Sequence, residues 1–349
     1  MLTKIYKVNC LNPKEDLEAI RDCANILKCD GLIAFPTETV YGLGANAFST
    51  VAINKIYRAK GRPSDNPLII HIAKKEDLNL IAKNISNKAK LLINSFWPGP
   101  LTLVVEKKEC IPIETSGGLN TIGVRMPSNN VANLLIKESG PLAAPSANLS
   151  GRPSPTNADH VITDLNSKID AVIDGGSCKY GLESTILDVT TNIPCLLRPG
   201  SITLGMIEHI IGKIEIDKTV TEDKLTDVIP KAPGMKYKHY SPMADITIII
   251  GEEKNVVKNI INLANHSNTK VGIMATDKTK DLYHGCGVVL SVGDRHNPES
   301  IAANLFKIFR EFDNHNVNSI FAEGFLGQGI ELAIMNRLIK AAAYNIINV

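Results

Sequence analysis

The chain has 349 residues, is 44% hydrophobic and 21% charged, and carries a formal net charge of +2. That length favours two domains, each long enough to bury its own core. A balance so near neutrality argues against general nucleic-acid binding, so an anionic ligand would have to be met by local clusters of Lys and Arg.

The first residues, MLTKIYKVNC, show no apolar stretch with a cleavage signal, and no apolar run approaches the roughly 20 residues that cross a bilayer. The seven cysteines form no CxxC pair. Reduced thiols in a cytoplasmic protein are therefore expected, rather than a zinc site or a disulfide framework.

Asn12-Pro13-Lys14-Glu15 has the form of a capping box, and Leu17, Ile20, Ala24 and Leu27 follow at helical spacing up to Gly31. Strands are expected at Leu32–Pro36, Leu68–Ile72 and Leu101–Val105, with a helix over Ser49–Lys60. A helix near Asn129–Glu138, a strand at Leu142–Pro145 and a β-rich stretch over Ala171–Leu197 complete an α/β domain, residues 1–212. Residues 213–243, polar and then proline-rich, read as a linker. In residues 244–349, apolar strands near 246–250, 271–276, 288–293 and 319–324 alternate with helices at 254–265, 298–312 and 330–344. This predicts a smaller Rossmann-like parallel α/β domain. Gly324, Gly327 and Gly329 read as a tight connection in preference to an anion-binding turn.

Five segments could carry chemistry. PTETVYGLGANA (Pro36–Ala47) places hydroxyls, a carboxylate and glycines after a strand, and formally satisfies a dinucleotide fingerprint through Gly42, Gly44 and Ala47. That match is weak because the following helix begins too late, and a simple turn is the competing reading. AKGRPSDNPLIIHI (Ala59–Ile72) sets Lys60 and Arg62 around a glycine, which suits either a triphosphate or a solvated turn after a helix C-terminus. His71, alone in a strand, is more often a satisfied core residue than a ligand.

TIGVRMP (Thr121–Pro127) puts Arg125 among apolar neighbours, where it needs an anionic partner from the protein or from a substrate. APSANLSGRPSPT (Ala144–Thr156) is a loop of small and hydroxyl residues that permits close approach to a nucleotide. GLESTILDV and LLRPGSI carry Ser184 and Arg198, the latter equally readable as a surface ion-pair residue. A GxxxxGK[ST] loop, an HExxH helix and a GxSxG elbow are all missing.

Taken in order, PTETVYGL, KGRPSDNPL, SANLSG, KAPGMKYKHYSP and AIMNRLIKAA resemble the long, two-domain form of the threonylcarbamoyl-AMP synthase family. The likeness covers nearly the whole chain. It implies a YrdC-like twisted open α/β domain joined by a linker to the smaller Rossmann-like one. It further implies an enzyme that joins L-threonine, bicarbonate and ATP into threonylcarbamoyl-adenylate, with pyrophosphate and water as by-products. In the family that product serves tRNA modification by a separate transferase.

By the same resemblance, Thr39, His71, Arg125 and Ser184 would line the threonine pocket. Arg62, Asn66, Thr121, Ser146, Ser154, Arg198 and Tyr237 would hold ATP, with Lys60 and Asn148 completing the phosphate cradle. Lys60 and Arg62 are the expected catalytic pair. ATP is a substrate and carries its own Mg²⁺, and no metal-ligand set of the protein is expected. A monomer off the membrane is expected, with room for transient contact with tRNA or the transferase. An RNA-binding module with the same fold is the alternative, distinguished by binding that needs neither ATP nor threonine. Carbamoyl-transfer enzymes of hydrogenase maturation share a related domain but carry zinc-finger CxxC pairs, which this chain lacks.

Overall fold

Helical spacing of Ile20, Ala24 and Leu27 produces α1 (Leu17–Lys28), which buries those side chains together with Cys23. The expected capping box does not form. Pro13–Asp16 make a 3-10 turn without a side-chain cap, because the Asn12 amide donates to Glu15 at 2.6 Å instead. Past the helix, Asp30 rather than Gly31 takes the left-handed conformation, φ +59°. Gly31 is required for space: a Cβ there would lie 2.4 Å from Ile26 Cγ2.

The computed structural model describes residues 2–221, 232–233 and 240–349. Two units divide the chain: Met1–Ser150, Ser154–Lys179 and Glu183–Lys236 in the first, and Gly151–Pro153, Tyr180–Leu182 and Tyr237–Val349 in the second.

The strands of the first unit are β1 (Lys4–Lys7), β2 (Ile33–Phe35), β3 (Gly42–Asn46), β4 (Ile69–His71), β5 (Leu101–Glu106), β6 (Thr121–Arg125), β7 (Leu142–Ala143), β8 (Ala171–Asp174), β9 (Thr185–Asp188), β10 (Cys195–Arg198) and β11 (Glu215–Ile216). Its remaining helices are α2 (Thr50–Lys60), α3 (Leu78–Ile81), α4 (Asn87–Phe96), α5 (Asn130–Ser139), α6 (Ala158–Leu165), α7 (Leu204–Ile211) and α8 (Lys218–Thr221). The strands form one mixed sheet in the order β1-β8-β2-β3-β7-β4-β6-β5-β9-β10-β11. Strand β11, within the stretch read as linker, pairs with β10.

One face of this sheet is covered from β8 to β10. Leu43, Ile70, Leu103, Val124 and Leu187 pack there with Ile53, Leu92, Val161 and Ile207 of α2, α4, α6 and α7. On the other face, α1 and α5 cover only the half built from β2, β3, β7 and β8, through Ile20, Leu27, Leu135, Phe35 and Ile173. Over β4, β5, β9 and β10 that second face carries a small cluster, Ile69, Val104, Ile186 and Leu197 with Ala232. Polar side chains occupy the rest of it.

Strand β3 lies in the segment read as a loop. Its glycines give low strand propensity and hide it from a periodicity search, but they are needed for packing. A Cβ on Gly44 would sit 2.8 Å from Phe35 Cε1. Gly42 and Gly44 therefore belong to a buried strand paired with β2, and the dinucleotide reading is set aside.

In the second unit, β12 (Asp245–Ile250), β13 (Val271–Ala275), β14 (Val288–Ser291), β15 (Ser319–Glu323) and β16 (Ile346–Asn348) alternate with α9 (Glu253–Asn265), α10 (Pro298–Asn314) and α11 (Ile330–Ala341). All pairs are parallel, as expected. The order β14-β13-β15-β12-β16 puts the fourth strand between the first and second, unlike a Rossmann half. Ile249, Ile260, Ile273 and Tyr283 form a core on one side. The buried Glu323 carboxylate is satisfied by Tyr283 at 2.8 Å, Thr276 at 3.3 Å, Thr279, and Arg295 at 3.2 Å. The turn from β15 to α11 is tight, since a Cβ on Gly324 would meet Ile250 Cγ1 at 2.5 Å.

Gly44→Ala should lower stability by about 1–3 kcal/mol through overpacking against Phe35. Urea unfolding followed by far-UV dichroism measures this, and an unchanged midpoint would contradict the packing described.

Candidate active site

The half-covered face of the large sheet carries a row of aligned residues. Register pairs His71 with Arg125, Arg125 with Thr102, Thr102 with Ile186, and Ile186 with Arg198. Partners directly opposite on neighbouring strands project from the same side. Five strands thus place an imidazole, two guanidiniums and a hydroxyl on one line, with Ile186 in the apolar floor.

Arg125 is 4% exposed, and its charge must be met inside the protein. Nη1 donates to Thr39 Oγ1 at 2.8 Å, Nε donates to the Gly99 carbonyl at 3.3 Å, and Nη2 lies 2.7 Å from Glu38 Oε1. That last contact is an ion pair by distance, but without hydrogen-bond alignment: neither Glu38 oxygen accepts a hydrogen bond among the described residues. The loop that presents Glu38 and Thr39 is fixed by Thr37. Its hydroxyl donates to the Val40 carbonyl at 2.6 Å and accepts from the Thr39 amide at 3.1 Å.

Next along the row, Thr102 and Ser184 share a hydrogen bond of 2.8 Å. Arg198 donates to the Ser184 carbonyl at 3.0 Å and to its hydroxyl at 3.2 Å. Arg198 is therefore buried and directed at the site, not a surface ion-pair residue. Burial, the neighbouring Arg125 charge and only a weak opposing bond to the Ile69 carbonyl push the His71 imidazole down to about 3. It is a neutral hydrogen-bonding group at working pH.

The cationic loops meet beside this row. Lys60, the last residue of α2, is buried and donates to the carbonyls of Ser146 (2.6 Å) and Asn148. Burial and then Arg62 hold its ammonium well below the ordinary lysine range, with Asp164 opposing them. A bound polyanion would restore its charge. Arg62 closes its own loop by donating to the carbonyls of Asn66 (3.3 Å) and Pro67 (3.0 Å). The Asn66 side-chain oxygen is buried and accepts nothing among the described residues, which leaves it for a ligand. Ser146 donates to the Asn148 side chain, and Ser154 donates to Glu183. The Tyr41 amide donates to the Pro155 carbonyl at 2.9 Å, and the Ala147 amide to the Tyr41 carbonyl at 2.8 Å. These bonds draw the 36–41 and 144–156 segments together.

The structure thus gathers Thr39, His71, Arg125 and Ser184 along one row, with Arg198 at its end. Lys60, Arg62, Asn66, Ser146, Asn148 and Ser154 lie on the adjoining loops. Thr121 shares the face of Arg125 but begins β6, four residues or about 13 Å away along the strand. Tyr237 lies outside the described residues. Residues that the sequence alone did not single out are Glu38, Thr102, Asp164 and Glu183. Glu38 had a visible signal, being the one charged residue between Pro36 and Ala47.

Comparison with known proteins gives a consistent result. A family model described as "Telomere recombination" matches residues 25–200, and one described as "Threonylcarbamoyl-AMP synthase, C-terminal domain" matches residues 202–343. The threonylcarbamoyl-AMP synthase of Pyrococcus abyssi is 46% identical over 97% of this chain and 99% of its own length. That of Bacillus subtilis is 46% identical over 94% of each chain. The crystal structure of P. abyssi Sua5 complexed with L-threonine superposes with a TM-score of 0.93 at 45% identity, covering 99% of this chain and 100% of that one. E. coli YciO, at 24% identity and a TM-score of 0.51 over 56% of this chain and 95% of its own, shares the fold.

His71 is neutral in the folded protein but titrates near 6.5 when exposed. From about pH 6.5 down to about pH 3 the unfolded chain binds a proton that the folded chain refuses. Stability therefore falls with pH by at most about 1.4 kcal/mol per unit from this residue. His71→Asn should show a shallower acid-side loss in urea unfolding. Equal slopes in variant and wild type would refute the buried neutral imidazole.

Proposed function

The chain belongs to the threonylcarbamoyl-AMP synthase family, and from that membership we propose how its residues carry the reaction. The protein is a nucleotidyltransferase that joins L-threonine, bicarbonate and ATP into threonylcarbamoyl-adenylate, releasing pyrophosphate and water. The observation that supports the residue roles is the buried Arg125, aligned with His71 and Thr102 and set beside the Lys60 and Arg62 loops.

In this reading the threonine carboxylate docks on Arg125, a planar fork suited to two parallel bonds. Thr39, His71 and Ser184 supply neutral partners for the remaining polar groups. Because His71 is uncharged, it adds no second cation beside Arg125. ATP lies along the adjoining loops. Lys60 and Arg62 take the phosphates, the orphaned Asn66 oxygen and the hydroxyls of Ser146 and Ser154 supply further contacts, and Arg198 closes the row. Asn148 holds Ser146 in place, while Thr121 and Tyr237 complete the expected nucleotide contacts.

Threonine's amine and bicarbonate form a carbamate, and a carbamate oxygen then attacks the α-phosphorus. Pyrophosphate leaves along the Lys60–Arg62 side. The chain contributes alignment and fixed charge, and no covalent nucleophile is needed. Mg²⁺ carried by ATP would supply charge neutralisation for the departing pyrophosphate beside Lys60 and Arg62. Carbamate and mixed anhydride are both labile to water, so a site lined by buried groups suits them.

The product feeds tRNA modification through a separate transferase, with which this protein or the tRNA would make transient contact. A cytoplasmic monomer fits this role; among the described residues no helix is long and apolar enough to cross a membrane. The RNA-binding alternative is not favoured, because relatives that carry the synthase name match along nearly the full chain.

Pyrophosphate release should require ATP, threonine and bicarbonate together, and release that persists without threonine would remove the substrate assignment. Arg62→Ala should lower turnover by at least about 100-fold while the variant keeps a cooperative melting transition. Wild-type turnover in that variant would refute its role.

A further inference from the structure

Glu38 is a residue of this site that the roles above leave unused. Its side chain is 6% exposed, yet both carboxylate oxygens are buried without accepting a hydrogen bond among the described residues. A buried acceptor of this kind is costly unless a ligand completes it. It lies 2.7 Å from Arg125 Nη2, the group assigned to the substrate carboxylate. The Thr37-centred turn holds its backbone rigidly.

In an α-amino acid the nitrogen lies about 2.5 Å from the carboxylate carbon. An amino acid whose carboxylate sits on Arg125 therefore carries its ammonium into the neighbourhood of Glu38. Resting on the reading of this pocket as the threonine site, we propose that Glu38 binds the α-ammonium of threonine and acts as the base that frees its amine.

The step balances. Glu38 takes one proton from the ammonium, leaving a neutral amine and a neutral carboxyl. The amine lone pair forms a C–N bond to bicarbonate carbon, and the C–OH bond breaks. The departing hydroxide takes the remaining excess N–H proton and leaves as water, giving the carbamate anion. The proton on Glu38 then passes to solvent.

The surroundings explain why the transfer waits for substrate. Among the described residues, Arg125 from β6 and the Cys178 thiol interact with Glu38, and His71 from β4 stands beside Arg125. Burial raises Cys178 to about 12, so it stays neutral, as does His71. Arg125 is then the one charge facing Glu38 among these groups. Once the threonine carboxylate meets Arg125, that cation is neutralised and a second anion stands nearby. Both changes favour protonation of Glu38.

The test uses the full chain. Wild type, Glu38→Gln and Glu38→Asp are assayed for threonine-dependent pyrophosphate release across neutral to alkaline pH. Binding of L-threonine is compared with that of (R)-3-hydroxybutyrate, which lacks only the α-amine. Glu38→Gln should lose at least about 100-fold in kcat near neutrality, and the loss should shrink as pH rises and free amine accumulates. Its preference for threonine over the deaminated analogue should narrow about tenfold or more. Glu38→Asp keeps the charge that Arg125 needs, so it guards against a misfolded Gln variant. It should lose kcat with KM for threonine little changed.

A loss constant across pH, with the preference intact, would make Glu38 only a counter-ion and overturn the proposal. Wild-type kcat in both variants would overturn it as well. Absence of threonine-dependent release in the wild-type enzyme would instead fault the functional reading on which this rests.

Discussion

A guanidinium buried at the end of a central strand has to be answered on every side, and in this protein the answers organise the site. Arg125 is met by a carboxylate, a hydroxyl and a backbone carbonyl from two separate loops. Loss of the carboxylate would leave an uncompensated charge in a low-dielectric interior. The Thr37 turn, the approach of Gly99 and the pairing of β4, β5 and β6 all serve to keep that set together. Substrate recognition then exploits a charge that the fold already has to manage.

The architecture explains why the site lies where it does. Helices α1 and α5 shield half of one sheet face, and the shield stops at β7 and β4. Beyond that edge the same strands still alternate, but the outward face now carries His71, Thr102, Arg125 and Arg198 beside a small cluster of Ile69, Val104, Ile186 and Leu197. The opposite face, packed against α2, α4, α6 and α7, stays apolar throughout. One sheet thus builds its core on one side and its chemistry on the other.

Much of this was legible in the sequence, for identifiable reasons. Short apolar runs located β4 and β5, and Ser49 and Asn129 do cap α2 and α5 as the helix starts implied. Lys60 and Arg62 could be read as a pair because a single glycine separates them. Register could not be read. That Thr102 stands between Arg125 and Ile186 depends on which distant strands pair, and no local pattern encodes this. Strand β3 escaped because glycines chosen for closeness to Phe35 look like turn residues. Glu38 escaped because a lone carboxylate among threonines reads as polarity, and its isolation matters only once Arg125 lies beside it. Asn12 failed as a cap because its amide found a nearer acceptor in Glu15.

The row from His71 to Arg198 crosses four interstrand steps, about 19 Å at the spacing of a β-sheet. Main-chain hydrogen bonding sets that pitch, and no side-chain substitution can stretch it. The sheet therefore serves as a fixed ruler laid beneath the reactants. Engineering the protein toward a longer or shorter amino acid would mean exchanging the markers on this ruler, one strand at a time, with the divisions between them left as they are.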